Sequence, residues 1–246
     1  MRRAGPFKAR LMLRLIHSLG RLAQVGSILG VDMGAVAFPR PRFDADERQA
    51  HQRSRDVLMA GGGGVVDFES PYPKHRFLDY LVSQGDVVLH GSNVEGIETF
   101  EPRESNDAGT RFTAVYGAAD GVLAMFYATI NRSVVPGLFN SCYWGRPGSR
   151  RWFYLAAAGD PDCDRSWCDG FVYVLPRGSF RFGHSREVYS ETAVRPLGAI
   201  AVTPEEFPLR RFVAKMEIGR PVTDTLRSIQ ERRDRAVGSS EPTPDC

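Results

Sequence analysis

Long apolar runs are what this sequence lacks first. The most lipid-like stretch, LMLRLIHSLG, is broken by Arg14 and His17 and falls well short of the ~20 apolar residues that a transmembrane helix needs. The same charges interrupt the apolar core that a secretory signal requires, so a cytoplasmic protein is expected. Cysteine is sparse: Cys142, Cys163, Cys168 and Cys246 are too few to staple 246 residues, which fits a reducing compartment. Cys163 and Cys168 stand in DPDCDRSWCDG with neither a second cysteine pair nor a His-x-x-x-His nearby. No metal site is therefore expected, and the segment reads as an acidic surface loop carrying two thiols. Gly-x-Ser-x-Gly and His-Glu-x-x-His are also missing, and no Gly-Lys-Ser/Thr follows the glycine run at 61–64. Those gaps argue against serine-hydrolase, zinc-peptidase and P-loop chemistry. Charge of one sign is weak too. A net charge of +3 permits a phosphate-bearing ligand without announcing a nucleic-acid binder.

What is present is the balance of a globular chain, 42% hydrophobic and 25% charged, long enough for one large domain or a domain with extensions. Residues 1–64 read as an extension. Its first 31 residues carry Arg2, Arg3, Lys8, Arg10, Arg14 and Arg21 and no acid, with Leu11, Leu15, Leu19 and Leu22 at helical spacing. That pattern suits a basic tail as well as a weak surface or partner helix. AFPRPRF then breaks the chain, DADERQAHQRSRDVLM reads as a polar, mostly exposed helix starting near Asp44, and GGGG reads as a linker.

From residue 65 the apolar pattern is denser, and residues 65–217 are expected to form the principal domain. YPKHRFLDYLVSQG places Phe77, Leu78 and Leu81 on a helix that stops at Gly85. A strand follows at 86–90, then a charged loop, a short strand at 112–116 and a helix in GAADGVLAMFYATINR. Thereafter the period shifts toward two: FNSCYWG, RRWFYLAAA, GFVYVLP, SFRFG and LGAIAVTP read as short strands between turns. Early helices and late strands predict an α+β fold with a largely antiparallel sheet. Residues 218–246 read as a helix capped by Thr223 or Asp224, followed by a disordered tail.

The strand in DVVLHGSN runs directly into His90, Gly91 and Ser92, and strand ends offer backbone groups no longer paired in a ladder. In order along the chain come this His-Gly-Ser, a helix carrying FYAT, the strand GFVYVLP, and Glu191 in YSETAV before a closing strand. That order resembles the ADP-ribosyltransferase fold, in the His-Tyr-Glu branch that includes poly(ADP-ribose) polymerases and diphtheria-type toxins. The resemblance covers roughly residues 86–207 and rests on short motifs.

What the resemblance implies is specific. NAD is the substrate, its nicotinamide amide held by the backbone of Gly91 and the hydroxyl of Ser92. His90 bonds a ribose hydroxyl, Tyr127 stacks on the nicotinamide ring, and Arg103 pairs with the pyrophosphate. Glu191 stabilises positive charge as the glycosidic bond breaks, and ADP-ribose passes to a protein or nucleic-acid acceptor. Glu205 and Glu206 in TPEEF compete for the part of that carboxylate. Two other readings stand beside this one. NAD-dependent removal of an RNA 2′-phosphate, on a related fold, would draw on Arg103, Arg111 and Arg132. A non-catalytic module would bind a nucleotide or a protein partner.

Overall fold

A computed structural model describes residues 34–107, 110–144, 150–183 and 186–238. Eleven strands and four α-helices among them form two sheets with helices packed on and between them. The larger sheet holds β2 (Val87–Ser92), β3 (Arg103–Asp107), β4 (Thr110–Ala118), β7 (Gly170–Pro176), β8 (Arg181–Phe182), β9 (Glu187–Ser190) and β10 (Gly198–Val202). Its order is β10-β7-β2-β4-β9-β8, with β3 also paired to β4. In the smaller sheet the central strand is β6 (Arg150–Ala158). One edge of β6 takes β5 (Leu138–Trp144); the other takes β1 (Val36–Pro39) and then β11 (Ala214–Met216). Only the β11–β6 ladder is parallel among these strand pairs. The α+β, largely antiparallel architecture is thus as expected.

Local sequence explains the central pieces. β2 and β7 carry Val87, Val88, Leu89, Val172, Val174 and Leu175, all buried, as strands covered on both faces should. The helix GVLAMFYAT, α3 (Gly121–Thr129), is apolar nearly all round and buries every residue except Tyr127, the signature of a helix inside the core. It lies unusually close to the sheet. A Cβ on Gly91 would stand 2.2 Å from the Ala124 carbonyl oxygen, and one on Gly170 2.0 Å from that of Ala128. No other residue type fits that approach.

The start of α3 is held by charge. Asp120 accepts from the Leu123 N–H at 3.0 Å, and Asp79, from α2 (Lys74–Ser83), accepts from the Gly121 N–H at 2.9 Å. Arg151 of β6 donates to both, at 2.8 and 2.5 Å to Asp79 and 2.7 Å to Asp120. All three residues are buried. Burial opposes the Arg151 charge, but Asp120 and Asp79 outweigh it and hold the guanidinium above its ordinary pKa. Burial raises the Asp79 carboxyl, whereas for Asp120 Arg151 and its hydrogen-bond donors overcome burial and lower it. Two helices and one strand are locked at one point.

The boundary expected at residue 64 is not where the fold begins. β1 is a strand of the smaller sheet. The polar helix, α1 (Ala45–Ala60), starts at its expected cap Asp44 but buries Glu47, His51 and Leu58, and Leu58 packs with the main core. The glycine run is not a loose joint. Gly62 and Gly63 adopt positive φ, and the segment then docks through Val65 beside Ala199, with the Ala199 N–H bonding the Gly64 carbonyl at 2.9 Å. A polar helix face in sequence conceals three inward residues because a helix needs only a narrow stripe to dock. Residues 1–33, including the basic segment, lie outside the described residues. At the other end α4 (Val222–Gly238) begins before Thr223, so neither Thr223 nor Asp224 is its cap. Its Ile229 joins a small second core with Ala35, Tyr154, Ala156 and Ala214, so residues 218–238 also belong to the fold. The tail at 239–246 lies outside the described residues. No helix among the described residues is long and apolar enough to cross a membrane.

Candidate functional site

The central strand parts from one neighbour at the His-Gly-Ser corner. β2 pairs with β7 along its whole length, but with β4 only at Leu89 opposite Ala118. His90 fills the parting. Its Nδ1 lies 2.6 Å from the Tyr116 carbonyl oxygen, and because a carbonyl can only accept, Nδ1 carries the proton and Nε2 is the acceptor. Burial first, and the nearby Arg103 charge, hold the imidazole pKa below its ordinary value against the pull of that hydrogen bond. His90 is therefore neutral at pH 7.

Side chains alternate along a strand, so His90 and Gly91 point to opposite faces. His90 shares its face with Tyr173, its cross-strand partner. That face is roofed by the segment at 94–100: the His90 ring lies 4.5 Å from that of Phe100. Tyr173 donates to the Val94 carbonyl at 2.8 Å and accepts from the Ile97 N–H at 3.1 Å. Gly91 faces α3, where a Cβ would meet the Tyr127 Cβ at 2.8 Å. The expected open corner for a nicotinamide amide at Gly91 is thus filled by helix backbone. Gly91 is a packing glycine, and His90 and Tyr127 lie on opposite sides of β2.

The other expected site residues are scattered. The Ser92 hydroxyl accepts from the Val94 N–H at 3.0 Å and shapes the turn. Arg103 is exposed at the start of β3, near enough to bias His90. Glu191 stands exposed beyond β9, 3.6 Å from Arg181, and does not meet Tyr127. Glu205 pairs with Arg210 at 2.9 Å and Glu206 with Lys74 at 2.8 Å, so neither competing carboxylate enters a common site. Arg132 is exposed after α3, and the Arg111 side chain lies outside the described residues.

A different carboxylate reaches the tyrosine. The Tyr127 hydroxyl donates to Glu187 Oε1 at 2.6 Å and accepts from Asn140 Nδ2 at 2.5 Å. Asn140 Oδ1 is buried with no hydrogen-bond partner. Three elements supply this cluster: α3 gives Tyr127, β9 gives Glu187 and β5 gives Asn140, so it marks the seam between the two sheets. Further along β5, on the same face, come Cys142 and Trp144. The Cys142 thiol, 3.5 Å from Asp120, is pushed well above its ordinary pKa by burial and then by that carboxylate, which removes it as a nucleophile. Trp144 donates its indole N–H to Asp120 at 2.8 Å.

Neither Glu187 nor Asn140 was singled out by the sequence. Glu187, Tyr189 and Glu191 share one parity, so alternation alone does not choose between the two glutamates. Pairing does: β9 ends at Ser190, and Glu187 sits opposite Ala118, just before α3 begins. No group of three or more His, Cys, Asp or Glu side chains able to hold a metal occurs among the described residues. Comparison with known protein families, with curated proteins and with solved structures returns no match. What the geometry defines is a two-sheet α+β fold with a half-buried Tyr–Glu–Asn cluster at the seam.

Proposed function

We propose that this chain is an ADP-ribosyltransferase-like protein that binds NAD and breaks its nicotinamide glycosidic bond at Tyr127, Glu187 and Asn140. The observation that carries this reading is the 2.6 Å hydrogen bond from the Tyr127 phenol to Glu187. It joins a tyrosine and a glutamate from a helix and a later strand, in the chain order of the His-Tyr-Glu branch. Glu187 replaces Glu191 as the carboxylate. When the C1′–N bond breaks, its electron pair leaves with nicotinamide and the ribose becomes an oxocarbenium ion. A carboxylate fixed beside C1′ stabilises that charge as it develops. Tyr127 keeps the carboxylate oriented, and the buried Asn140 Oδ1 suits the N–H of a carboxamide. ADP-ribose then passes to a protein or nucleic-acid nucleophile.

A second reading, a non-catalytic nucleotide- or protein-binding module, is favoured by one observation. Gly91 is pressed against α3 and His90 faces away from Tyr127, so two landmarks of the branch do not join the cluster. Nicotinamide release separates the two. Glu187→Gln keeps shape and hydrogen bonding but removes the charge, and is expected to slow release by ~10²–10³-fold, with NAD affinity changed only a few-fold. Glu191→Gln is expected to turn over normally. Unchanged turnover in Glu187→Gln refutes the assignment. A wild-type chain that binds NAD and never releases nicotinamide supports the module, and one that binds no NAD overturns the NAD reading.

A further inference from the structure

A buried histidine lies away from the seam, where α1 meets α2. His51 is 0% exposed, and four rings enclose its own. Phe43, Tyr72, Phe77 and Tyr80 stand at centroid distances of 5.6, 5.6, 5.7 and 5.4 Å. They come from the turn before α1, the segment leading into α2, and α2 itself. One charged group bonds the imidazole: its Nε2 lies 3.1 Å from Glu47 Oε1, one turn back along α1.

The surroundings fix which nitrogen carries the proton. Arg76 of α2 donates to both oxygens of Glu47, at 2.5 and 2.7 Å, and this holds the carboxyl below its ordinary pKa. An ionised carboxylate only accepts, so Nε2 is the protonated nitrogen and donates to it. Nδ1 is left as a bare acceptor, buried and with no hydrogen-bond partner. The other groups here are fixed as well. Tyr80 donates to Gln52 Oε1 at 2.8 Å, Asp44 and Asp46 act on Tyr72, and Asp79 acts on Arg76. A proton added at Nδ1 would make an N–H with no acceptor, on a ring already facing the Arg76 charge. Burial, the largest influence, holds the imidazole below its ordinary pKa against the bond and charge of Glu47, and Arg76 adds to it.

We infer that His51 makes the docking of α1 sensitive to protons: the helix is latched while the ring is neutral and is released in mild acid. Undocking carries the ring into water, where it protonates freely; the closed aromatic box resists the same proton. The released state therefore binds more protons than the docked one. Docking is at full strength above the ordinary imidazole value of about 6.5. As pH falls below that value it weakens, by about tenfold per pH unit at the steepest. The latch stands whether or not NAD is the ligand at the seam.

Hydrogen–deuterium exchange on the full chain, corrected for the pH dependence of chemical exchange, tests this segment by segment. Protection of α1 is expected to fall about 5- to 25-fold between pH 7 and pH 5, and that of α3 to fall less. His51→Phe fills the box with a ring that cannot titrate and is expected to hold α1 protection level across that range. His51→Gln keeps a donor for Glu47 and gives the same test if His51→Phe fails to fold. In the wild-type chain the His51 ring proton resonance, identified by its loss in either variant, is expected to titrate below about 6.5. Level protection in wild type, or a ring that titrates at or above that value because the aromatic box favours the cation, overturns the inference. So does a loss that persists in both variants, which assigns it to His90 or to His75, held at about 4 by burial and the Arg151 and Arg76 charges. A loss that begins only below about pH 4.5 is that of a carboxylate and overturns it too.

Discussion

Replacing Arg151 by methionine tests the lock between α2, α3 and β6. Methionine keeps much of the length and apolar volume of arginine, so the change removes charge and hydrogen bonds rather than opening a large hole. Left behind are Asp79 and Asp120, buried and 1% or less exposed, with no cation between them. Removing one partner of a buried ionic network costs about 3–5 kcal/mol. For a domain of this size that is a fall in Tm of about 6–20 °C. The pH dependence identifies the cause. Without Arg151, both carboxyls ionise in the folded state only at a cost, so their folded pKa values rise above the unfolded value of about 3.9. Stability relative to wild type is then lost as pH rises through those raised values and recovered as pH falls toward 4. Urea denaturation at pH 7 and pH 4.5 is expected to show a deficit that shrinks on acidification. A loss below about 1 kcal/mol at pH 7, or a deficit that grows toward pH 4.5, refutes the argument.

Two further outcomes follow from the packing. Gly91→Ala puts a Cβ 2.2 Å from the Ala124 carbonyl oxygen, so α3 must shift; a loss of at least about 1–3 kcal/mol is expected, and an unchanged thermal midpoint would mean that the corner is open. A chain starting at residue 65 loses β1 and the buried Leu58, whose truncation to alanine alone is worth about 2–5 kcal/mol; a cooperative transition like that of the full chain would show residues 34–64 to be dispensable.

Much of the architecture was legible because it depends on local periodicity. FLDYL, VLAMF, FVYVL and the stretch RRWFYLAAA announce their own elements, and Asp44 announced its cap. The site was less legible because it depends on register. Whether Gly91 meets ligand or helix is decided by which face of β2 receives α3, and nothing within GSN records that. Glu187 and Glu191 are equivalent in parity; the end of the β4–β9 ladder separates them. Long-range charge pairing is hidden from the sequence in the same way: Arg151, the second residue of RRWFYLAAA, is buried because Asp79 and Asp120 come from distant segments to meet it. The extension looked detachable because α1 shows so few apolar residues, yet β1 pairs with β6 and Glu47, His51 and Leu58 of α1 are buried.

The shared edge of β6 has a consequence for how the chain is made. β1 finds its partner far downstream, as the Arg151 bond to the Pro39 carbonyl across 112 residues records. Arg233, in α4, reaches back 198 residues to the Ala35 carbonyl. At a synthesis rate of about 5–20 residues per second, β1 waits roughly 6–20 s for β6 to be made. During that interval VAFP is an unpaired edge, the kind of segment that recruits other strands. Pro39, which has no N–H to offer, and Pro41 just beyond it shorten the edge that a nascent neighbour could zip onto.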